Sequence, residues 1–275
     1  MVKKMPSPTK RLEKLLKEAL PSPDSAKEEA DDLKEFRRAK FGSKGMASRL
    51  APLGWHAAGR AALAANDGDL VTAESELAEA FRRVFWSRVV VQQVEPNTLA
   101  PLMLEAAVRG SGRAALEAIM RRILGQRGAR DPLYSFARWA LRLLEWEGTT
   151  PLFEDSPYVG EGAATTESTP SGAIVDVMCA WHLQVALRES GFSPFMFMPY
   201  IVLPVEVFAW VKRREQLGSA VPALDHPLLK TAIATVPLGK IDLAPKGHEL
   251  IEPLLARCVK EGVLTSEQIA ATTAG

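Results

Sequence analysis

The residue that most invites a chemical interpretation is Glu206, which lies in the apolar stretch PYIVLPVEVFAWVKRREQLG, residues 199–218. A buried carboxylate without a partner is costly or is neutralised, so Glu206 needs a partner, a helix start or a catalytic role. Pro204 favours a helix that begins beside it, and the first turn of a helix stabilises a carboxylate. Arg213 follows two turns later on the same side, with Trp210 between them. We therefore predict a structural carboxylate, stabilised by the helix start and by Arg213 or a facing helix.

Asp176 and His182 are the next candidates, in the segment AIVDVMCAWHL that we predict to be helical. Six residues apart, they point to different sides of a helix and cannot bind one metal ion from it. Val175, Cys179 and His182 share a face, which predicts a core histidine with one hydrogen bond. Asp176 could still pair with Glu206 or Arg213 across two packed helices.

The four histidines, at positions 56, 182, 226 and 248, do not have the spacing of a metal site. His226 precedes a proline in LDHPLLK, which predicts an extended or turn conformation, and His248 opens a predicted helix. The two cysteines, 179 and 258, form no CxxC pair, and the sequence contains no phosphate-binding loop, HExxH, GxSxG or GxGxxG motif. We expect no metal and no cofactor. An enzyme would need Asp176, His182, Glu206 or His226 to meet in one pocket.

The composition and the N-terminal segment limit which binding partners and which cellular compartment we expect. Lys and Arg number 34 against 33 Asp and Glu, a formal net charge of +1, which gives no reason to expect a nucleic acid or an anionic membrane as partner. The N-terminal segment lacks the continuous apolar core of a signal peptide, so we expect a cytoplasmic protein. The apolar run at 192–211 has the length of a membrane span, but it contains three prolines and Glu206, which favours a buried helix after an irregular loop.

Hydrophobic residues recur with the helical period almost throughout, and no useful stretch alternates as a strand would. We predict an all-α protein, a single globular array of roughly ten antiparallel helices that is irregular and not a regular solenoid. Leu70 begins the clearest apolar stripe, with Asp69 as the cap. We expect a break at FGSKG, residues 41–45, and a helix near Leu53 to Ala65 after it. We also expect helix ends at Gly110 and Gly125, and a last helix from His248 to Glu261.

Three regions follow from the pattern. Residues 1–147 form an N-terminal helical region, and residues 173–275 a C-terminal one that we expect to pack with the first as one domain. Between them, residues 148–172 are rich in Gly, Ser and Thr and acidic, with no Lys or Arg. So long a loop is usually functional or a linker.

PVEVFAWVKRREQLG, followed closely by LDHPLLKTAI, resembles the C-terminal part of the all-helical immunity proteins of bacterial polymorphic toxin systems, the family numbered forty-nine. AWHLQVALRES on the preceding segment agrees with this, so the resemblance covers residues 173–238. It implies a cytoplasmic antidote that binds and blocks a cognate toxin and has no catalysis of its own. Glu206, Arg213, Asp225 and His226 match the pattern, and their role there can be purely structural.

Under this hypothesis the acidic loop is the expected contact with the toxin, through Glu154, Asp155, Glu161 and Glu167. An acidic surface suits a basic toxin such as a nuclease. A solvated loop that contacts nothing is the other interpretation. Two further functions stay open: a helical-repeat-like adaptor that binds a protein or peptide in a groove, and an enzyme with a site near Asp176 and Glu206.

Overall fold

The fold consists of α-helices. The structure is a computed structural model that describes residues 8–38, 42–127, 134–145, 171–186, 193–195 and 197–274, and within them it contains no strand. Eleven helices follow in order: α1 (Pro8–Ala19), α2 (Ser25–Arg38), α3 (Gly42–Asn66), α4 (Leu70–Val91), α5 (Pro96–Arg109), α6 (Arg113–Arg127), α7 (Ser135–Glu145), α8 (Ser171–Ala186), α9 (Val205–Gln216), α10 (Ile251–Lys260) and α11 (Ser266–Ala274). Short 3₁₀ helices cover Pro227–Lys230 and Ile233–Thr235. The prediction of an all-α, irregular array is confirmed.

The longest packed pair is the hairpin of α3 and α4. The two helices approach closely at Gly54, where an added Cβ would lie 2.7 Å from Val84 Cγ2. Asp69 caps α4 as predicted, because its carboxylate accepts a hydrogen bond from the Thr72 N–H at 3.0 Å. Leu70 does not belong to the buried stripe: 43% of it is exposed, since it lies in the first turn at the tip of the hairpin.

Several predicted helix boundaries are wrong. The helix predicted to begin near Leu53 begins earlier: α3 starts at Gly42, inside the predicted break at residues 41–45, and runs unbroken through Pro52. A proline keeps a helical φ and removes one backbone bond, and packing against α2 and α4 holds the helix together. Gly125 lies inside α6, whereas Gly110 does end α5 with a left-handed φ of 68°.

The C-terminal helix α11 was not predicted, since no residue in it is buried and it has no apolar stripe. A capping box marks its start: Thr265 Oγ1 accepts from the Gln268 N–H at 3.2 Å, and Gln268 Oε1 accepts from the Thr265 N–H at 2.8 Å. The T-x-x-Q spacing is visible in the sequence and would have located this helix.

An extended segment around residues 239–243 crosses α4 and the end of α5. Three side chains donate hydrogen bonds to its carbonyl oxygens: Arg109 Nη1 to Gly239 at 3.2 Å, Arg82 Nε to Asp242 at 3.1 Å and Trp86 Nε1 to Leu243 at 3.1 Å. Ser111 Oγ, in the turn after α5, accepts a hydrogen bond from the Ile241 N–H at 3.0 Å. These bonds satisfy backbone groups that have no sheet or helix partner.

The start of α10 is tied to α4 through His248. Its Nδ1 accepts hydrogen bonds from the backbone N–H groups of Leu250 and Ile251, and its Nε2 lies 3.0 Å from Glu79 Oε1. Burial raises the pKa of Glu79, but the contacts with His248 and Arg83 outweigh it and lower that pKa to about 2. Glu79 therefore stays ionised and links the two halves of the chain.

α5 is the helix around which the second half packs. It contacts α6, α7 and α9, while α1 packs on α8 and α10 on α3. No helix within the described residues is long and apolar enough to cross a membrane. In the apolar run at 192–211, the described residues before Val205 form turns and irregular backbone, and residues 205–211 belong to α9.

Candidate functional site

Glu206 is joined to His182 of the facing helix α8. His182 Nδ1 lies 2.7 Å from Glu206 Oε1, and neither side chain has any exposed surface. His182 Nε2 lies 3.1 Å from the carbonyl oxygen of Ile201, and Phe195 stacks on the imidazole with ring centroids 4.1 Å apart. Because a carbonyl only accepts, Nε2 carries a proton, and the contact of 2.7 Å between Nδ1 and Oε1 is a second hydrogen bond. Of the two predicted partners, the facing helix supplies the one observed.

One expectation around this pair needs correction. His182 makes two hydrogen bonds and not one, since both ring nitrogens have a partner. Arg213 Nη1 donates to Gln216 Oε1 at 3.2 Å on its own helix. Trp210, which we placed between Glu206 and Arg213, is buried, and the Arg214 guanidinium lies 5.0 Å from the centroid of its ring. The pair therefore joins α8 to α9 inside the core.

Asp176 and His226 lie near His182 without sharing its hydrogen bonds. Asp176 is exposed on α8. His226 Nδ1 accepts from the Leu228 N–H at 3.2 Å and caps the 3₁₀ helix that follows. Burial lowers the pKa of His226, the Asp176 carboxylate opposes this, and His182 lowers it further. The structure thus brings all four candidates into one neighbourhood, but it seals the hydrogen-bonded pair of His182 and Glu206 away from solvent.

Asp225 is a surface residue. Its side chain is 83% exposed and pairs with Lys230 Nζ at 3.0 Å. An ion pair this exposed contributes little to stability.

Sequence reasoning missed a second buried network, formed by Glu105, Arg109 and Tyr200. Glu105 Oε1 accepts from Arg109 Nε at 2.7 Å, and its Oε2 accepts from the Tyr200 hydroxyl at 2.7 Å. Burial, together with the Glu105 charge, raises the pKa of Tyr200 well above its usual value. Glu105 and Arg109 stand four residues apart in an apolar helix, and this spacing is the signal that could have identified the pair.

On the surface, α2 and α3 enclose a cavity of about 430 Å³, lined by Glu28, Asp31, Asp32, Pro52, Trp55 and His56. We call it the acidic cavity. Its three acids share one face of α2, since their spacing is i, i+3 and i+4. This spacing was visible in the sequence, but the tryptophan that faces it comes from another helix.

The acids of the cavity differ in how they are paired. Asp32 lies 3.3 Å from Arg49 Nη1 and 3.3 Å from His56 Nε2. The carboxylates of Glu28 and Asp31 are exposed and form no hydrogen bond or ion pair with any residue that the structure describes. The cavity therefore carries a negative charge that the described part of the chain does not balance.

Trp55 forms the apolar wall of the acidic cavity. Phe197 stacks on it with ring centroids 4.3 Å apart and an interplanar angle of 5°. Because Phe197 covers one face of the indole, a ligand can reach only the other face and the edge. The stacked pair also limits the rotation of Trp55 and holds the wall in place.

A larger cleft of about 1040 Å³ lies at the ends of α4 and α6. Gln92, with a left-handed φ of 58°, accepts a hydrogen bond from Arg122 Nη1 at 2.7 Å in its wall. Lys44 and Glu95 also line it, so the cleft has charges of both signs and its charge selects no class of ligand.

The acids predicted to contact a toxin, Glu154, Asp155, Glu161 and Glu167, lie outside the described residues. Within the described ranges, no group of three or more His, Cys, Asp or Glu side chains is placed to hold a metal ion.

No protein-family model matches the chain, and no curated protein or solved structure is significantly similar to it. A functional conclusion therefore has to come from the side chains described above.

Proposed function

We propose that the chain is an immunity protein, an antidote that binds a cognate bacterial toxin in the cytoplasm and blocks it. The observation that supports this function best is the acidic cavity. Two exposed carboxylates without a described partner, Glu28 and Asp31, stand beside the tryptophan wall on two packed helices. Interfaces combine such aromatic residues with a charged rim.

The charge of the cavity indicates a basic partner. A surface of one sign speeds the association with a protein of the opposite sign, and an antidote benefits from a fast association. Nucleic-acid-degrading toxins are basic because they bind phosphate backbones. The overall charge of +1 means that this attraction is local to the cavity and does not belong to the whole chain.

In this proposal the protein acts by binding alone. His182 and Glu206 serve as a link between α8 and α9, and Glu105, Arg109 and Tyr200 as a second link inside the core. Such buried hydrogen bonds between helices favour one rigid arrangement of the helices. A rigid surface loses little entropy when a partner binds.

The proposal is tested by a pull-down from the native host, combined with sequencing of the neighbouring reading frames. We expect a large toxin-like protein encoded next to this chain to copurify, and its toxicity to disappear on co-expression. A neighbouring small-molecule pathway without any protein partner would contradict the antidote function and favour an enzyme.

With the toxin in hand, the double variant Glu28→Gln/Asp31→Asn tests the contact. Association should slow several-fold and depend less on salt, because two steering charges are removed. The matched control is Asp67→Asn/Glu74→Gln, which removes two exposed acids near the tip of the α3–α4 hairpin. Equal rates for the two double variants would dismiss the acidic cavity as the contact. Amide replacement of Glu154, Asp155, Glu161 and Glu167 tests the predicted contact through these acids separately.

A further inference from the structure

We propose that the acidic cavity receives an arginine side chain of the partner, with the guanidinium stacked on Trp55 and hydrogen-bonded to Glu28 and Asp31. The inference rests on the proposed function only in taking the partner to be a protein. The partner inserts an arginine, and Trp55 is the residue that selects it.

The first step is the tryptophan wall. Indole is the aromatic ring that attracts a cation most strongly when the cation lies over its face. Trp55 lines the cavity and is half-buried, and Phe197 stacks on one face of its ring. A guanidinium that stacks on Trp55 therefore has to meet the other face of the indole.

The second step is the charge of the rim. Arg49 and His56 already contact Asp32, so this acid is partly neutralised by its own chain. His56 Nδ1 also lies 3.4 Å from Ser25 Oγ, so the imidazole contacts α2 at two positions. Glu28 and Asp31 keep their charge for a ligand.

The third step is the choice between arginine and lysine. A guanidinium is planar, so it can stack on an indole and at the same time donate hydrogen bonds from its edge to carboxylates. An ammonium is a strongly hydrated point charge and cannot combine the two contacts equally well. The flat wall and the carboxylates on a neighbouring helix therefore suit arginine better.

The size of the cavity agrees with a side chain presented by a protein. A volume of about 430 Å³ exceeds what one side chain fills, which leaves room for residues that flank the arginine in the partner. It also lies within the range of ordinary ligand pockets.

Fluorescence anisotropy with rhodamine-labelled hexa-arginine and hexa-lysine peptides tests the inference on the full chain. We expect hexa-arginine to bind more tightly than hexa-lysine. Trp55→Leu should weaken hexa-arginine binding about five-fold, the effect of one exposed cation–π contact, and should remove the preference over hexa-lysine. Trp55→Phe keeps a ring and should fall between the two, and circular dichroism checks that each variant is folded.

Asp67→Asn is the control for general charge, since Asp67 is an exposed acid about 18 Å from Trp55 along the axis of α3. It should leave hexa-arginine binding unchanged, while Asp31→Asn should weaken it. Unchanged affinity in Trp55→Leu, or equal losses in Asp67→Asn and Asp31→Asn, would overturn the inference. Peptide binding elsewhere on the chain would not respond to Trp55→Leu.

The two proposals fail separately. If Trp55→Leu weakens hexa-arginine binding but no toxin copurifies from the host, the arginine site stands and the antidote function falls. If a toxin copurifies and Trp55→Leu binds it as tightly as the native chain does, the function stands and the arginine site falls.

Discussion

Replacing Glu206 by Gln measures what the buried pair contributes to the fold. The native carboxylate accepts from His182 at 2.7 Å with both side chains fully buried. Gln keeps the shape and can donate to Nδ1 of a neutral imidazole, but it replaces the short hydrogen bond to a carboxyl group by a weaker one to an amide. We expect a loss of about 1–3 kcal/mol in the free energy of unfolding, the cost of a weakened buried hydrogen bond to a charged group. Gln has nearly the same volume as Glu, so the substitution leaves no cavity that would add to the loss in the free energy of unfolding.

Urea denaturation followed by circular dichroism measures this loss, with an unchanged m-value as the sign that only stability has changed. The matched control is Asp225→Asn, which breaks the exposed pair with Lys230 and should stay within about 0.5 kcal/mol of the native chain. If Glu206→Gln were as stable as this control while a toxin-neutralising or enzymatic activity vanished, the structural role assigned to Glu206 would be refuted.

Two other perturbations test the fold. Because the pKa of Glu79 is about 2 in the folded chain and about 4.5 for an unperturbed glutamate, its contribution to stability is complete above pH 4.5 and is lost as the pH falls towards 2. Acid unfolding monitored by circular dichroism should accordingly depend less on pH in this range for Glu79→Gln, and an identical pH dependence would contradict the linkage. Gly112→Ala should cost about 1–3 kcal/mol, since its φ is 73° and an added Cβ would lie 2.4 Å from Phe85 Cε2. Gly68→Ala has a similar φ of 81° with nothing within 4 Å, so thermal melts of the two variants should separate crowding from backbone strain.

Helix identity was largely readable from the sequence because it depends on local periodicity and caps. Asp69 and Gly110 mark helix ends through hydrogen bonds and backbone angles that involve only their own neighbours. The continuous α3 was not readable, since the glycines and Pro52 predict a break and only packing against α2 and α4 stabilises the helix through them. Tertiary contacts override local propensity at such positions.

The candidate site also has features that the sequence predicts and contacts that only the tertiary structure decides. From its apolar surroundings alone, the sequence determined that Glu206 needs a partner, and the spacing of Glu28, Asp31 and Asp32 determines that they share a face of α2. Tertiary structure decided that His182 is the partner of Glu206 and that Trp55 faces the acids of α2, because both contacts join helices far apart in the chain. Local rules set which face of a helix a side chain occupies, whereas the face that packs against it depends on how all the apolar surfaces are buried together.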